Sequence, residues 1–257
     1  MINAHTHTQR QTRLPGTLPV SNPQRQNRLL GALPAPDYKN LSAQLEFVQL
    51  PQGEILCECG TVLNYAYFPT TAVISLLYVT EDGASTETAV VGNEGMLGVP
   101  IFMGAETAPS QALVQCAGCA YRLSKHLLKQ EFDRSSSMRQ VLLNYTQALI
   151  THMAQTAVCN RHHSVDQQLC RWLLSTLDRS STNELAMTHE AIAHKLGVRR
   201  EGVTDAAGKL RSAGAIRYNR GHITVLDRPQ LEERSCECYA VVKSAFDGLI
   251  PHKMIAA

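Results

Sequence analysis

The residues with the clearest chemistry lie in the last third of the chain, between Lys195 and Arg220. Seven bases and only two acids fall in this stretch, although the formal net charge of the whole chain is only +2. Lysine and arginine pair with phosphate oxygens, and arginine can also make two hydrogen bonds to a guanine edge. Such a local excess of positive charge is typical of a surface that binds a polyanion.

Two short helices and a hairpin are predicted to position these charges. Thr188 can cap a first helix, and Gly197 can end it with a left-handed backbone conformation. A second helix is predicted from Arg199 onward, because apolar residues recur at helical spacing at Val203, Ala206, Ala207 and Leu210. Apolar and polar residues alternate on both sides of 219–221, which predicts a β-hairpin. The sequence therefore predicts a winged helix-turn-helix, whose second helix would enter the major groove.

We accordingly expect double-stranded DNA as a partner. The start of the second helix would supply contacts to base edges, and the hairpin would supply contacts to phosphates. Gly202 has no side chain and would allow close approach to a base or sugar. The predicted DNA-contacting residues are Thr188, His189, Arg199, Arg200, Glu201, Gly202, Thr204, Lys209, Arg217 and Arg220. The alternative, a helix pair that only covers a core, is disfavoured by the local charge.

The whole chain is predicted to be an α+β protein with an N-terminal β-roll (a cupin-like barrel), a long dimerisation helix and the C-terminal winged helix-turn-helix. Seven short runs rich in β-branched and aromatic residues lie between Glu46 and Leu123, which predicts the strands of the roll. Residues 41–131 hold nine acids and three bases, so we expect this half not to contact DNA.

Composition and helical spacing predict the boundaries of five segments. The first residues are rich in threonine and proline and hold almost no large apolar side chains, so they cannot bury enough surface to become ordered. The last segment contains an amphipathic helix that we expect to pack on the winged domain. The segments are a disordered arm at 1–24, a β-roll sensory domain at 25–132, a dimerisation helix and hinge at 133–163, a winged domain at 164–230 and a C-terminal helical extension at 231–257.

The long helix is predicted from Ser135 onward by an apolar stripe that recurs every three or four residues for over five turns. A stripe this continuous favours burial against a second copy of the chain, which predicts a homodimer. The predicted interface residues are Met138, Val141, Leu142, Tyr145, Leu149 and Met153. The alternative is that the stripe packs on the β-roll of its own chain.

The order of these parts resembles the Crp-Fnr superfamily of bacterial transcription regulators over about residues 25–230. The most specific stretches are LCRWLL at 169–174 and THEAIAHKLGVRREGV at 188–203. The resemblance implies a DNA-binding regulator in which Arg200 reads a guanine and Glu201 a cytosine amino group. It also leads us to expect RNA polymerase as a further partner.

The sensory half departs from the pattern of the resembling family. Members that bind cyclic nucleotides carry a Gly-Glu pair for the ribose and an Arg-Ser pair for the cyclic phosphate. Here Val99 follows Gly98 where the glutamate would be, and Ser110 and Gln111 stand near the arginine position. Without a guanidinium the phosphate loses its bidentate partner, so cyclic AMP is expected not to bind and the effector is unknown.

The eight cysteines raise the alternative of a redox or metal-dependent protein. Cys116 and Cys119 form a CxxC motif, but it falls between two predicted strands, whereas thioredoxin-like enzymes place this motif at the start of a helix. A second group at the hinge offers potential metal ligands: Cys159, His162, His163 and Cys170. We favour the regulator, and expect no enzymatic activity, no metal and no cofactor. With no apolar run long enough to cross a bilayer, the chain is expected to be cytoplasmic and not membrane-bound.

Overall fold

The computed structural model describes residues 23–180 and 182–249. A 3₁₀ turn at Pro23–Gln26 leads into two short helices, α1 (Arg28–Gly31) and α2 (Ala35–Ser42). The predicted disordered arm therefore lies outside the described residues as far as residue 22, whereas its last two residues belong to the 3₁₀ turn. The side chain of Asn27 caps α1 and also donates hydrogen bonds to the carbonyls of Pro69 and Gly95, which fixes this segment on the following domain.

All seven predicted strands are present, and they form an antiparallel β-roll. They are β1 (Glu46–Leu50), β2 (Ile55–Cys57), β3 (Tyr65–Pro69), β4 (Val73–Val79), β5 (Ser85–Val91), β6 (Gln111–Cys116) and β7 (Gly118–Ser124). One sheet has the order β1-β7-β3 and the other the order β2-β6-β4-β5. A one-turn helix, α3 (Val99–Phe102), lies between β5 and β6. The inward side chains of both sheets share one hydrophobic core.

Two helices follow the roll. The first, α4 (Lys125–Arg134), was not predicted from the sequence, although Ser124 caps it by accepting a hydrogen bond from the backbone N–H of Leu127. The second, α5 (Ser136–His162), confirms the predicted long helix, and Ser135 caps it in the same way. Only Ser135 separates the two helices, and both pack on the roll, α4 through Leu128 and α5 through its apolar stripe.

The apolar stripe of α5 is buried within its own chain, which corrects its assignment to a dimer interface. Its side chains belong to the core of the β-roll: Met138, Leu142, Tyr145 and Leu149 are buried there, and Val141 and Met153 pack partly buried against the same core. The hydroxyl of Tyr145 donates a hydrogen bond to the carbonyl of Met96 at 2.9 Å. Periodicity predicts that a helix face is buried but does not identify what covers it.

The C-terminal half forms a second core around a helix-turn-helix. Its elements are α6 (Val165–Leu177), β8 (Glu184–Ala186), α7 (His189–Leu196), α8 (Arg200–Ser212), β9 (Ile216–Asn219), β10 (His222–Val225), α9 (Arg228–Arg234) and α10 (Glu237–Asp247). Ser164 and Gln167 form a capping box that starts α6. The predicted hairpin gains a third strand, because β8 pairs with β10 on the side opposite β9.

The last helix, α10, crosses from one core to the other, which corrects the expectation that it packs only on the winged domain. Tyr239 lies in the winged core, whereas Val242 and Phe246 lie in the core of the β-roll. The ring of Phe246 is 6.2 Å from that of Tyr145. None of the helices in the described ranges has the length and apolar character required to cross a bilayer.

A buried polar network joins the two halves of the chain. Glu87 on β5 accepts hydrogen bonds from Trp172 Nε1 on α6 and from Lys195 Nζ on α7, each at 2.9 Å. A second buried pair joins Arg179, which follows α6, to Glu94 at 2.6 Å. Because a buried charge is tolerated only when it is paired and hydrogen-bonded, these contacts fix how the winged domain sits on the roll.

We expect Lys195→Met to loosen this interface. The substitution leaves the Glu87 carboxylate buried without a cation, which typically costs about 3 to 5 kcal/mol of unfolding free energy. Urea denaturation measures that loss, and the emission of Trp172, the only tryptophan of the chain, reports whether its surroundings become wetter. Lys209→Met is the matched control, because Lys209 pairs with Asp166 on the surface. If Lys195→Met matched this control in both measurements, the pair would not be holding the domains together.

Candidate nucleic-acid interface

The helix-turn-helix is built as the sequence predicts. Thr188 caps α7 by accepting a hydrogen bond from the backbone N–H of Ala191 at 3.2 Å. Gly197 ends α7 in the left-handed conformation, with φ of 66°. Arg199 then occupies the N-cap position of α8, where it is exposed to solvent.

One face of α8 points away from the protein. Arg200, Glu201, Thr204 and Asp205 are exposed on it, whereas the opposite face is buried in the winged core through Val203, Ala206, Ala207 and Leu210. The Arg200 side chain is 66% exposed, and its Nη1 lies 3.8 Å from Glu190 Oε2. An ion pair this long and exposed is weak, so Arg200 remains available to another partner.

The hairpin between β9 and β10 is a tight two-residue turn. Its central residues, Arg220 and Gly221, have φ values of 45° and 81°. Two successive positive φ angles match the type I′ turn, whose twist suits a two-residue β-hairpin. The turn places Arg220 exposed at the tip of the wing, and Arg217 is exposed on β9.

His189 holds the helices and the wing together. Its ring stacks on Tyr218 of β9, with centroids 4.1 Å apart, and its Nδ1 lies 3.1 Å from Thr204 Oγ1 on α8. Partial burial, with a smaller contribution from the nearby Arg200 charge, lowers the pKa of His189 below its usual value. A neutral ring in these contacts positions Thr204. The sequence predicts His189 only as a DNA contact and predicts no role for Tyr218. Tyr218 alternates with its neighbours as any half-buried strand residue does, so its pattern does not indicate the stacking.

Gly202 and Lys195 lie differently from the sequence prediction, whereas Lys209 is exposed as predicted and forms a surface ion pair. Gly202 faces Val165 of α6, since a methyl group added at Gly202 would lie 3.6 Å from Val165 Cγ2, which corrects the prediction of close approach to DNA. Lys209 donates a hydrogen bond to Asp166 at 2.8 Å, which partly neutralises its charge. Lys195 is buried on the roll and does not contribute to the exposed positive surface.

Comparison with known proteins agrees with this arrangement. The family model of the Crp-like helix-turn-helix domain matches residues 167–234, and that of the cyclic nucleotide-binding domain matches residues 47–135. Together the two matches cover more than half of the chain. The chain belongs to the Crp-Fnr superfamily. Its cyclic nucleotide-binding domain is the β-roll, and its Crp-like domain runs from α6 to α9.

Solved structures of Crp-Fnr proteins have the same fold. FixK2 from Bradyrhizobium japonicum is 15% identical, with a TM-score of 0.62 over 75% of this chain and 98% of that chain. A transcriptional regulator of the family from Eubacterium rectale is 19% identical, with a TM-score of 0.62 over 81% and 98%. A family member from Thermus thermophilus is 20% identical, with a TM-score of 0.58 over 74% and 98%. A search of curated proteins gave no match.

The β-roll of this Crp-Fnr protein contains a cavity of about 540 Å³ beside α5. Of the four predicted pocket residues, Gly98, Val99 and Ser110 line it. Gln111 does not, because it donates a hydrogen bond to Glu58 at 2.8 Å on the surface, which corrects its assignment. Among the described residues, no charged side chain lines this cavity; its walls are mainly apolar and include Leu76, Leu97, Met103, Leu149, Ile150 and Met153.

The CxxC motif does not have the surroundings of a reactive dithiol. Cys116 ends β6 and Cys119 lies in β7, so neither stands at a helix N-terminus. Burial raises the pKa of the Cys116 thiol to about 11. A nucleophilic cysteine needs a lowered pKa, so this geometry disfavours the redox alternative for these two residues.

Proposed function

We propose that this Crp-Fnr protein is a homodimeric transcription regulator that reads specific DNA sequences with α8. Membership of the Crp-Fnr superfamily makes the chain a DNA-binding transcription regulator. The observation that carries the proposal of sequence-specific reading is the exposed outward face of α8, where Arg200 and Glu201 lie in the first turn. In helix-turn-helix proteins the N-terminal residues of this helix contact base edges in the major groove.

Each exposed side chain has a role that follows from its chemistry. Arg200 is proposed to donate two hydrogen bonds to a guanine edge, and Glu201 to accept one from a cytosine amino group. Arg199, Arg217 and Arg220 are proposed to contact phosphates, since they lie at the start of α8 and on the wing. Thr204 and Thr188 are proposed to contact the DNA with their shorter side chains.

The exposed face of α5 supports the proposed homodimer. It lies opposite the stripe buried in the roll, and its exposed residues are spaced by four, three, four and three positions: Leu143, Gln147, Ile150, Ala154 and Ala157. This 3–4 alternation is the spacing of a coiled-coil seam. Leu143 and Ile150 are 47% and 52% exposed, so this face carries two large apolar side chains that a second copy would remove from water. We therefore propose a second copy of the chain as the partner of this face.

The cavity in the roll supports an effector other than a cyclic nucleotide. A cyclic phosphate carries a negative charge that must be paired when it leaves water. The described lining residues offer it no cation, and the walls are largely apolar. A small, predominantly apolar molecule fits this cavity better, and it would touch α5 through Leu149 and Met153. Contact with RNA polymerase remains a prediction, and we propose no enzymatic activity.

Substitutions at two arginines test recognition of DNA. Arg200→Ala is expected to cost about 1 to 3 kcal/mol on a cognate site and to remove the preference at one base pair per half-site. Arg220→Ala should instead weaken all sequences alike and lower the salt slope of binding by about one, because it removes a phosphate contact. Both are measured by titrating a panel of operator variants selected with the wild type. An unchanged ranking of the panel for Arg200→Ala would contradict the proposed position of α8 in the groove.

Neighbouring residues of α5 test the dimer. Ile150→Glu should give folded monomers in sedimentation, because it places a charge on the proposed seam. Leu149 is 6% exposed in the core of the roll, so Leu149→Glu should instead unfold that domain. Val241, an exposed aliphatic residue on α10, provides the control, and Val241→Glu should remain dimeric. A dimeric, folded Ile150→Glu protein would exclude this face as the interface.

Calorimetry tests the effector. Cyclic AMP and cyclic GMP are expected to give no binding heat with the purified protein at physiological concentrations. The measurement is informative in a second variant, Val99→Glu with Ser110→Arg, which restores one carboxylate and one guanidinium to the cavity wall. Weak binding by this variant but not by the wild type would agree with the stated cause, whereas micromolar binding by the wild type would contradict it.

A further inference from the structure

Four potential metal ligands meet where α5 joins the C-terminal extension. Cys159 lies in the last turn of α5 and His163 directly follows that helix, whereas Cys236 and Cys238 lie at the start of α10. The four donor atoms all lie within 4.8 Å of one another. Cys236 comes 77 positions after Cys159, so only the fold brings the two pairs together.

The sequence had indicated a different set of hinge ligands. Of Cys159, His162, His163 and Cys170, the structure brings the first and third into the group. His162 is exposed to solvent, and Cys170 is buried in the winged core. The residues that complete the group, Cys236 and Cys238, belong to a CEC motif in the C-terminal extension.

Two of the distances between these donor atoms match the edges of a tetrahedron around one ion. The sulfurs of Cys159 and Cys236 are 3.6 Å apart, and the sulfur of Cys238 is 3.6 Å from Nδ1 of His163. With Zn–S bonds of about 2.3 Å and Zn–N bonds of about 2.0 to 2.1 Å, tetrahedral geometry separates two donors by about 3.5 to 3.8 Å. The small size of the group leaves space for a single ion.

Hydrophobic packing does not account for this group. The three cysteines are buried and form a cluster separate from the two cores, and no buried aliphatic side chain of the described residues is a member of it. Cysteine thiolates and a histidine nitrogen are soft or borderline ligands, which select zinc over magnesium or calcium. A Cys₃His set is one of the usual ligand combinations of structural zinc sites.

The surroundings also suit a metal. Nε2 of His163 lies 3.3 Å from the Glu237 carboxylate, so Nδ1 is left to face the sulfurs. A carboxylate that orients a histidine in this way is common behind metal ligands. Gln168 holds the hinge by donating hydrogen bonds to the carbonyls of Cys159 and His163. The side chain of Arg171 is buried nearby, and its Nε has no hydrogen-bond partner within the described part of the chain.

We propose that Cys159, His163, Cys236 and Cys238 bind one structural Zn²⁺ ion. The ion would be held by three thiolates and Nδ1 of the histidine. The complex would carry a net charge of −1, and the buried guanidinium of Arg171 would balance it. The N-terminus of α10 further stabilises the thiolate of Cys238 in its first turn.

The proposed ion connects the last turn of α5, the hinge residue His163 and the start of α10. It joins the end of α5 to the start of α10, and α10 carries Val242 and Phe246 into the core of the roll. Zinc would therefore fix the extension across the hinge between the two domains. This site does not depend on the proposed DNA contacts and can be tested without DNA.

Metal analysis of the full-length protein provides the test. Protein expressed with added Zn²⁺ and purified without chelator is expected to contain about one zinc per chain by mass spectrometry of the metal. Replacing zinc with Co²⁺ should give the intense visible absorption of a tetrahedral cobalt thiolate site. Wild-type protein that retains neither metal, or that contains a Cys159–Cys236 disulfide instead, would overturn the proposal.

Matched variants identify the ligands. His163→Gln should lose most of the bound zinc, whereas His162→Gln, at the adjacent exposed position, should retain it. Cys238→Ser and Cys59→Ser form a second pair, because Cys59 is an exposed thiol outside the group. Glu237→Gln should lower zinc affinity about tenfold without removing the site, and this surface change does not threaten folding. Equal zinc content in His163→Gln and His162→Gln would overturn the ligand assignment.

Discussion

The arrangement of the two domains depends on one interaction, the pairing of the buried Glu87 carboxylate with Lys195 and Trp172. A carboxylate removed from water must be given a cation and hydrogen-bond donors, and here these come from Lys195 on α7 and Trp172 on α6. Both helices belong to the winged domain, and α7 packs directly against α8. The orientation of the exposed face of α8 relative to the roll is therefore set, in part, by the electrostatic requirement of a carboxylate on β5, in the other half of the chain.

Much of the fold could be predicted because its signals are local. Short runs of β-branched and aromatic residues identified the seven strands, Thr188 identified the start of α7, and Gly197 identified the turn between α7 and α8. The sequence did not predict which groups Lys195 and the apolar stripe of α5 contact. Because a lysine is normally exposed, the prediction treated Lys195 as surface charge. A stripe at helical spacing does not show whether the roll of the same chain or a second subunit covers it. The approach of Cys236 to Cys159 depends on the whole fold and leaves no local pattern.

The α5 helix takes part in the proposed effector cavity, the proposed dimer seam and the proposed zinc site. Its inner face completes the core of the roll, and Leu149 and Met153 border the cavity. The outer face carries the apolar seam proposed for the dimer, and Ile150 borders both the seam and the cavity. Its last turn supplies Cys159, and the residue that follows it supplies His163, so two of the four proposed zinc ligands lie at its end. A molecule in the cavity would thus contact the same helix that joins the two subunits and that ends at the hinge.

The length of α5 has a mechanical consequence. With 27 residues it spans about 40 Å, since each residue of an α-helix adds about 1.5 Å. A tilt of about 5° at the end that borders the roll would move the other end by about 3 to 4 Å by simple leverage. Base-edge hydrogen bonds tolerate only a few tenths of an ångström of misplacement. A tilt of α5 too small to disturb the packing of the core is therefore large enough to decide whether the base-reading side chains of the winged domain, which follows the far end of α5, reach the DNA.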